Sequence, residues 1–473
     1  MRDPVTLAAL AGRIGAAIEG ESAVAVTDVT HDSRQVGPGT LFVAIPGSVV
    51  DGHDYLSQAV SAGAAAVCVE RRGLALGVPA LVVPDAREAL APLAAAVHGD
   101  PAAELRMVGV TGTNGKTTVT HLLESICRRA GIRVGLIGTV GARIDGEPVP
   151  VLRTTPEASD FQRLLRTMAD RGVDVAAVEV SSHALALHRV DATRFDLAVF
   201  TNLSQDHLDF HGDMAAYEQA KATLFDRCDR AVIWVDDEAG ARIAAGAGCP
   251  VVRVGTSSSV DVVVGTPDLE FSRSTFELTS RSGPHRVEVG LGGSFNVPNA
   301  AVAAAAAEEL EIDWASISAG LSAVTAIPGR FELVDIGRPG PTVIVDYAHT
   351  PAGISVAIHA ARVLLGDEGR VIVVVGAGGD RDRAKRPLMG RAASEADMAV
   401  LTSDNPRSEA PEAILSEVAA GALRDVAIEV DRRTAIRRAL REAGEGDAVL
   451  ILGKGHETGQ DLGDRIVPFD DRV

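Results

Sequence analysis

Residues 112–118 read Gly112-Thr113-Asn114-Gly115-Lys116-Thr117-Thr118, and the reading of this stretch with its flanks decides the fold class. An apolar run of strand length, residues 105–110, comes before it. After it, Val119, Leu122, Leu123 and Ile126 recur at i, i+3, i+4 and i+7, the spacing of one helix face. A Gly-rich turn from strand to helix aims backbone N–H groups at an anion, and the helix dipole favours negative charge there. Lys116 can then reach terminal phosphate oxygens, and the Thr117 hydroxyl can meet Mg²⁺. The standard loop starts with a Gly where Val110 stands here, so this loop is short. The competing reading is an ordinary strand–helix turn with an exposed lysine.

Outward from the loop, strand and helix patterns alternate along the chain, an α/β signature. At 473 residues there is room for about three domains, each with its own core. A net charge of −19 argues against a nucleic-acid surface, so any basic residues serving polyphosphates must be gathered in clefts. Four scattered cysteines, with no CxxC pair, suggest neither a disulfide framework nor a zinc knuckle. No signal-like N-terminus and no apolar run of membrane length is present, which reads as a cytoplasmic protein without membrane insertion.

Residues 1–100 form the first expected domain, with strand-like runs at 24–29, 40–45, 64–69 and 80–83 and a helix at 55–62. Asp32-Ser33-Arg34 reads either as a capped turn with a solvated ion pair or as a holder of a polar ligand beside the loop Ser48, Val49 and Val50. Residues 101–328 form the second, a parallel sheet with antiparallel strands added over 260–291. In it, Arg153-Thr154-Thr155-Pro156 presents hydroxyls from extended backbone. The apolar run 173–180 ends at Glu179 and Ser181, where a sheet's ligand edge lies, so Glu179 is a candidate Mg²⁺ ligand. The run 201–212, dense in Asn, Asp and His and including His207, suits cation ligation or a plain polar loop. Asp213 caps a helix expected over 214–227 that carries Lys221, which by itself reads as a solvated charge. Asn296 and Asn299 open an Ala-rich helix.

From Gly329-Arg330-Phe331-Glu332 onward, residues 329–473 alternate strand and helix as a doubly wound, Rossmann-like sheet. Polar clusters follow its strands: Asp346 to His349, Gly378 to Asp382 with Arg381, Asp404-Asn405-Pro406-Arg407, and Gly453 to Glu457. Four such loops at one edge imply a lined ligand site that meets the phosphate loop across a closing cleft.

Taken in order, Gly-Thr-Asn-Gly-Lys-Thr, Glu-Val-Ser-Ser-His, Thr-Asn-Leu-x-x-Asp-His-Leu-Asp, Gly-Arg-Phe-Glu, Asp-Tyr-Ala-His-Thr-Pro and Gly-Lys-Gly-His-Glu resemble the Mur ligase family of peptidoglycan precursor enzymes across almost the whole chain. The resemblance implies an ATP-dependent ligase that adds meso-diaminopimelate to UDP-N-acetylmuramoyl-L-alanyl-D-glutamate, acting as a monomer through an acyl phosphate. It implies that Ser33, Ser48, Val49, Val50, Arg153, Thr154, Thr155, Ser181 and Arg189 hold the UDP-muramoyl-dipeptide, with Leu187 where the family often has Gln. Gly112 to Thr118, Asn296, Asn299, Arg330 and Asp346 go to ATP. Mg²⁺ goes to Thr117, Glu179, His207 and a CO₂-derived carbamate on Lys221, with Lys116, Lys221 and His207 catalytic. Arg381, Asp404, Asn405, Pro406, Arg407, Gly453 and Glu457 go to diaminopimelate, the Asp-Asn-Pro-Arg form favouring it over L-lysine. A lysine-adding ligase, a folylpolyglutamate synthetase-like ligase and a non-catalytic nucleotide-dependent binding protein are the alternatives.

Overall fold

The short loop after residue 111 is held at the centre of the largest sheet. The computed structural model describes residues 4–47, 50–337, 339–366 and 368–473, so Ser48 and Val49 lie outside the described residues. Twelve strands make this sheet. Its parallel core runs in the order Val134–Gly138, Val175–Glu179, Arg106–Thr111, Phe195–Phe200, Cys228–Trp234, Val251–Gly255 and Val262–Val264. These strands read as continuous apolar runs because helices cover both faces. From Arg106–Thr111 the chain first skips one strand position, then fills it, then crosses to the other side. The carboxyl ends of Arg106–Thr111, Val175–Glu179 and Phe195–Phe200 are therefore neighbours at a topological switch point, where open α/β sheets bind ligands.

The expected antiparallel addition is present as Ser274–Ser280 paired with Gly283–Val289. A second addition, Gly141–Ile144 with Glu147–Val149, extends the opposite edge. The loop helix Lys116–Arg129 buries Val119, Leu122, Leu123 and Ile126 completely, as their spacing predicts. On that face it packs against Asn296–Glu309 and Trp314–Ala323.

The N-terminal region carries a five-stranded sheet, Ala17–Glu19, Ala80–Val82, Ala66–Val69, Thr40–Val43 and Asp28–Thr30. The edge strand Ala17–Glu19 pairs antiparallel and has too little apolar pattern to be read from sequence. The C-terminal region forms a six-stranded sheet in the order Glu332–Val334, Thr342–Asp346, Ala448–Leu452, Val371–Val375, Met398–Leu401 and Ala427–Ile428. All pairs are parallel except that of Glu332–Val334, which adds an antiparallel edge. Separate apolar cores lie on its two faces, the mark of a doubly wound sheet. Among the described residues no helix is long and apolar enough to cross a membrane.

Candidate active site

Gly112 and Gly115 let the loop turn, at φ 147° and 87°. A Cβ on Gly115 would sit 2.2 Å from Asn299 Oδ1, and one on Gly112 would sit 2.0 Å from Thr201 Oγ1, so both positions are closed to side chains. The loop is stitched to the segment after Phe195–Phe200. Thr113 N donates to Asn202 O at 2.8 Å, Asn114 N to Asn202 Oδ1 at 3.0 Å, and Thr201 Oγ1 to Asn114 O. Much of the polar run after residue 200 thus holds the loop rather than a cation. No side chain caps the helix that starts at Lys116, leaving its first-turn amides, with Thr117 and Thr118 buried beside them, for an outside acceptor.

Two lysines converge here. Lys116 Nζ donates to the Gly112 and Thr113 carbonyls, 2.8 Å each, and Lys221 Nζ donates to the same Gly112 carbonyl at 2.8 Å. Lys221 is 1% exposed, which corrects its reading as a solvated charge. Its helix, Met214–Ala222, is shorter than expected, and Tyr217 and Lys221, one turn apart, both face inward. The Tyr217 hydroxyl meets Thr113 Oγ1 at 3.1 Å, and Lys221 Nζ lies 4.4 Å from the Tyr217 ring centre. Burial pulls both amines below the ordinary lysine range, Lys221 well below it, and the charge of Lys116 adds to the effect on Lys221.

Beside them Glu179 is fully buried. It accepts from Thr117 Oγ1 at 3.1 Å, Thr139 N at 2.8 Å and Thr139 Oγ1 at 2.9 Å, and among the described residues it makes no ion pair within 4 Å. Arg330 reaches over from the C-terminal region, donating to Thr117 Oγ1 at 3.0 Å and stacking on Tyr347. Asp346 fixes that segment by accepting from Phe331 N and Ala348 N, and burial raises its carboxyl above the usual range. Asn296 and Asn299 bond to each other at 3.3 Å under Gly115.

A cleft of about 410 Å³ has walls from both regions. His183, Asp206 and His207 line one side; Arg381, Asp404, Asn405, Arg407, Gly453 and Glu457 line the other. Desolvation lowers the His207 imidazole below the ordinary range, against the pull of Asp206. Pro406 is buried behind the cleft wall. Arg407 holds φ 52° and donates to Gly379 O at 2.7 Å. Asp404 Oδ1 is buried without a hydrogen-bond partner, and burial raises this carboxyl. Among the described residues no group of three or more His, Cys, Asp and Glu side chains stands ready to hold a metal. Glu179 lies at the loop and His207 at the cleft wall.

The other expected residues fall toward the N-terminal region. Thr154 Oγ1 meets Thr139 Oγ1 at 3.1 Å, and Thr155 Oγ1 donates to Glu179 O at 2.7 Å. Ser181 caps the short helix Ser182–Ala186, Leu187 ends it half-buried, and Arg189 donates to Thr155 O at 3.2 Å. Farther off, Asp32 caps the turn Ser33–Gln35 and pairs with exposed Arg34, as the capped-turn reading has it. Ser33 itself meets Gln58 at 3.4 Å, and Val50 is exposed.

Family models agree with this layout. The Mur ligase middle domain matches residues 110–307, the Mur ligase glutamate ligase domain 329–455, and the Mur ligase family catalytic domain 25–98. A relative in Geobacillus thermodenitrificans named UDP-N-acetylmuramoyl-L-alanyl-D-glutamate--2,6-diaminopimelate ligase is 46% identical over 455 residues, 93% of this chain and 92% of its own. The chain belongs to the Mur ligase family. Another relative of that name, in Gloeobacter violaceus, is 47% identical over 94% of this chain and 92% of its own. A solved structure titled with the same ligase name superposes with a TM-score of 0.69 at 31% identity, covering 99% of this chain and 97% of that one.

Two residues of this Mur ligase are given no role by the sequence reading, although Lys454 falls within its Gly453 to Glu457 cluster. Lys454 is fully buried and donates to Asn405 Oδ1 at 3.1 Å, Glu457 Oε2 at 2.9 Å and Gly459 O at 2.6 Å, so it sets the wall that Asn405 and Glu457 form. Glu157 binds Arg189 at 2.9 Å and also Arg153. Each looks like an ordinary loop charge until its neighbours are known. The signal for Lys454 was its place in the Gly-Lys-Gly-His-Glu motif, between two glycines after an apolar strand.

Proposed function

We propose that this Mur ligase joins meso-diaminopimelate to the D-glutamyl carboxyl of UDP-N-acetylmuramoyl-L-alanyl-D-glutamate, with cleavage of ATP to ADP and phosphate. The observation that carries this reading is the cleft shared by the phosphate-loop sheet and the C-terminal sheet, with half-buried Lys116 and buried Lys221 behind one wall and Asp404, Asn405, Arg407 and Glu457 on the other. The likeness to relatives bearing that ligase name supports it. Residues 1–100 serve the UDP end, 101–328 the nucleotide and 329–473 the amino acid. Both cleft walls come from one chain, so a monomer suffices, and its use of ATP suits the cytoplasm.

In this reading the first-turn amides and Lys116 take the terminal phosphates of ATP, so Lys116 leaves the carbonyls of its own loop. Asn296, Asn299, Arg330 and Asp346 shape the nucleotide pocket around the loop. Thr154, Thr155, Ser181 and Arg189 orient the acceptor so that its carboxylate oxygen attacks the γ-phosphorus. A carboxylate is a poor electrophile, and the acyl phosphate so formed is a good one. The diaminopimelate amine then attacks the carbonyl carbon, and phosphate leaves from the tetrahedral intermediate. Asp404, whose buried Oδ1 has no hydrogen-bond partner and lies 3.9 Å from Lys454 Nζ, accepts from an ammonium of the amino acid, while Arg407 pairs with its distal carboxylate. Closing the cleft excludes water that would hydrolyse the acyl phosphate.

Glu179 fits Mg²⁺, being a buried carboxylate that faces hydroxyl groups and, among the described residues, makes no ion pair within 4 Å. Thr117, His207 and a carbamylated Lys221 complete the ligands assigned to it. Bound Mg²⁺ would offset phosphate charge as two anions are brought together. Lys221 suits carbamylation because its depressed amine is more readily neutral, as addition to CO₂ with loss of a proton requires.

The deciding experiment measures ADP release with UDP-N-acetylmuramoyl-L-alanyl-D-glutamate and either diaminopimelate or L-lysine. Release with diaminopimelate alone is expected. Equal release with lysine would overturn the assigned amino acid, and release with neither would overturn the reaction.

A further inference from the structure

The cleft wall assigned to the amino acid is built from strand ends that the sheet itself does not join. Asp404 follows Met398–Leu401 and Gly453 follows Ala448–Leu452, and Val371–Val375 stands between those two strands in the sheet. Among the described residues no ladder hydrogen bond links the two strands directly. Yet the residues that follow them meet, since a Cβ on Gly453 would sit 3.3 Å from Asp404 Oδ2. Their spacing has to be set from outside the sheet.

Arg432, the first residue of the helix Arg432–Glu442, supplies the link, and the roles above give it no part. Its Nη2 donates to Leu452 O at 3.0 Å and its Nη1 to Ser403 O at 3.5 Å, the carbonyls just before Gly453 and Asp404. One planar fork thus reaches both strand ends, across the strand between them. Asp471 fixes the fork, accepting from Nε at 2.7 Å and from Nη2 at 2.6 Å, and both side chains are shut off from solvent. A buried ion pair is a weak source of stability, because desolvating two charges offsets most of their attraction. An apolar pair could fill the same space, but it could bond neither carbonyl.

The backbone around the two residues is pinned to match. Gln460 Nε2 donates to Asp404 O at 2.7 Å, and Gly453 N donates to Asp346 O at 3.1 Å. Asp404 Oδ1 meanwhile stays buried without a hydrogen-bond partner. The main chain is held and the carboxylate is left to meet something else. Arg432 also bears on its charge. Burial raises the Asp404 carboxyl; the Arg432 cation does most to pull it back, Lys454 and His349 act the same way, and Glu457 acts against them.

We propose that Arg432 is a positioning residue for the amino acid: clamped by Asp471, it ties the strand end before Asp404 to the strand end before Gly453 and so sets the spacing of these two residues across the subsite. The role rests on the amino-acid site proposed above. Arg432 meets no substrate atom in it and acts through Asp404 and Gly453.

Steady-state ADP release by the full chain is the test, with ATP, the UDP-linked dipeptide acceptor and diaminopimelate varied in turn. Arg432→Lys keeps the cation but puts a point charge where a fork spanned two carbonyls. It should raise KM for diaminopimelate by about 10–100-fold, through a misaimed Asp404, and leave KM for ATP and for the acceptor within about twofold. An arginine that only braced the fold would not give this split, because a smaller folded fraction lowers the apparent kcat and moves no KM. A double-mutant cycle with Asp404→Asn adds a second readout. If Arg432 acts through Asp404, the effect of Arg432→Lys should be several-fold smaller once Asp404 is replaced. Unchanged KM for diaminopimelate, an equal rise in all three KM values, or the same rise in both backgrounds overturns the role. If Arg432→Lys yields too little folded chain, Asp471→Asn loosens the fork while keeping its donors. It should show the same split at about 3–10-fold, and its absence there overturns the role as well. A wild-type chain that releases no ADP with diaminopimelate would instead sink the ligase reading, a result visible without any variant.

Discussion

A lysine amine that is 1% exposed, with a carbonyl and an aromatic ring as its near neighbours, costs the fold free energy if it stays a cation. Lys221 relieves that cost by losing its proton or by becoming a carbamate. The second course predicts that Lys221→Ala loses activity by about a hundredfold or more and regains part of it with added formate or acetate, which restores a carboxylate-like group in the vacated space. Steady-state ADP release checks this; full activity without rescue would rule the carbamate out. Arg407 makes a different demand. It holds a left-handed backbone at φ 52° and is tethered to Gly379 O, so its fork is aimed before the amino acid arrives. Arg407→Ala should raise KM for diaminopimelate by about 10–100-fold or more while KM for ATP stays put; equal KM values would remove it from the pocket. Residues of this kind are half-legible in sequence. Arg407 announces itself within Asp404-Asn405-Pro406-Arg407, but nothing local says that Lys221 or Lys454 is buried, since burial is decided by elements far along the chain.

The helix Lys116–Arg129 shows what was readable one level up. Its apolar face is plain in the sequence, and so are the parallel strands, because a strand covered on both sides needs an unbroken apolar run. Edge strands such as Ala17–Glu19 and Gly459–Asp461 are only half-covered and three residues long, so they leave no such trace. The partners of an apolar face are likewise unwritten: Asn296–Glu309 and Trp314–Ala323, which clamp the loop helix, follow it by well over a hundred residues. That clamp is tight at Gly320, where a Cβ would come within 2.4 Å of Ile126 Cα. Gly320→Ala must push the helices apart and should cost about 1–3 kcal/mol in urea unfolding, with a rise in KM for ATP as the loop shifts. Gly12, inside Leu7–Ile14 with nothing within 4 Å of its added Cβ, is the contrast. Gly12→Ala should stabilise by about 0.5–1 kcal/mol through helix propensity. The same sign for both would mean that backbone entropy, rather than close packing, governs Gly320.

At the scale of the molecule, sequence reading yields three α/β units in order but not the faces they turn to each other, because those contacts join residues with no shared local pattern. Arg330 on Thr117 and Arg87 on Glu157 are such contacts. Several buried histidines tie this assembly to pH, His98 and His121 among them. His98 stands 3.5 Å from Asp28, and His121, on the loop helix, meets the Thr117 carbonyl through Nδ1 at 2.8 Å. Burial lowers each imidazole to about 4, outweighing the nearby Asp28 for His98 and the Thr117 carbonyl for His121. Unfolded, each titrates near the ordinary 6.5. Above that pH both states are neutral and neither histidine makes stability depend on pH. Between 6.5 and about 4 the unfolded chain binds protons that the folded chain refuses, so stability falls as the pH falls, by up to about 1.4 kcal/mol per pH unit for each histidine. Urea midpoints should therefore drop from neutral pH toward about pH 5, before most carboxylates titrate. Replacing both histidines by Gln removes these two titrating groups and should flatten that slope by up to two protons' worth, even if Gln lowers stability at every pH. A slope as steep in the double variant as in wild type would place the acid sensitivity elsewhere in the molecule.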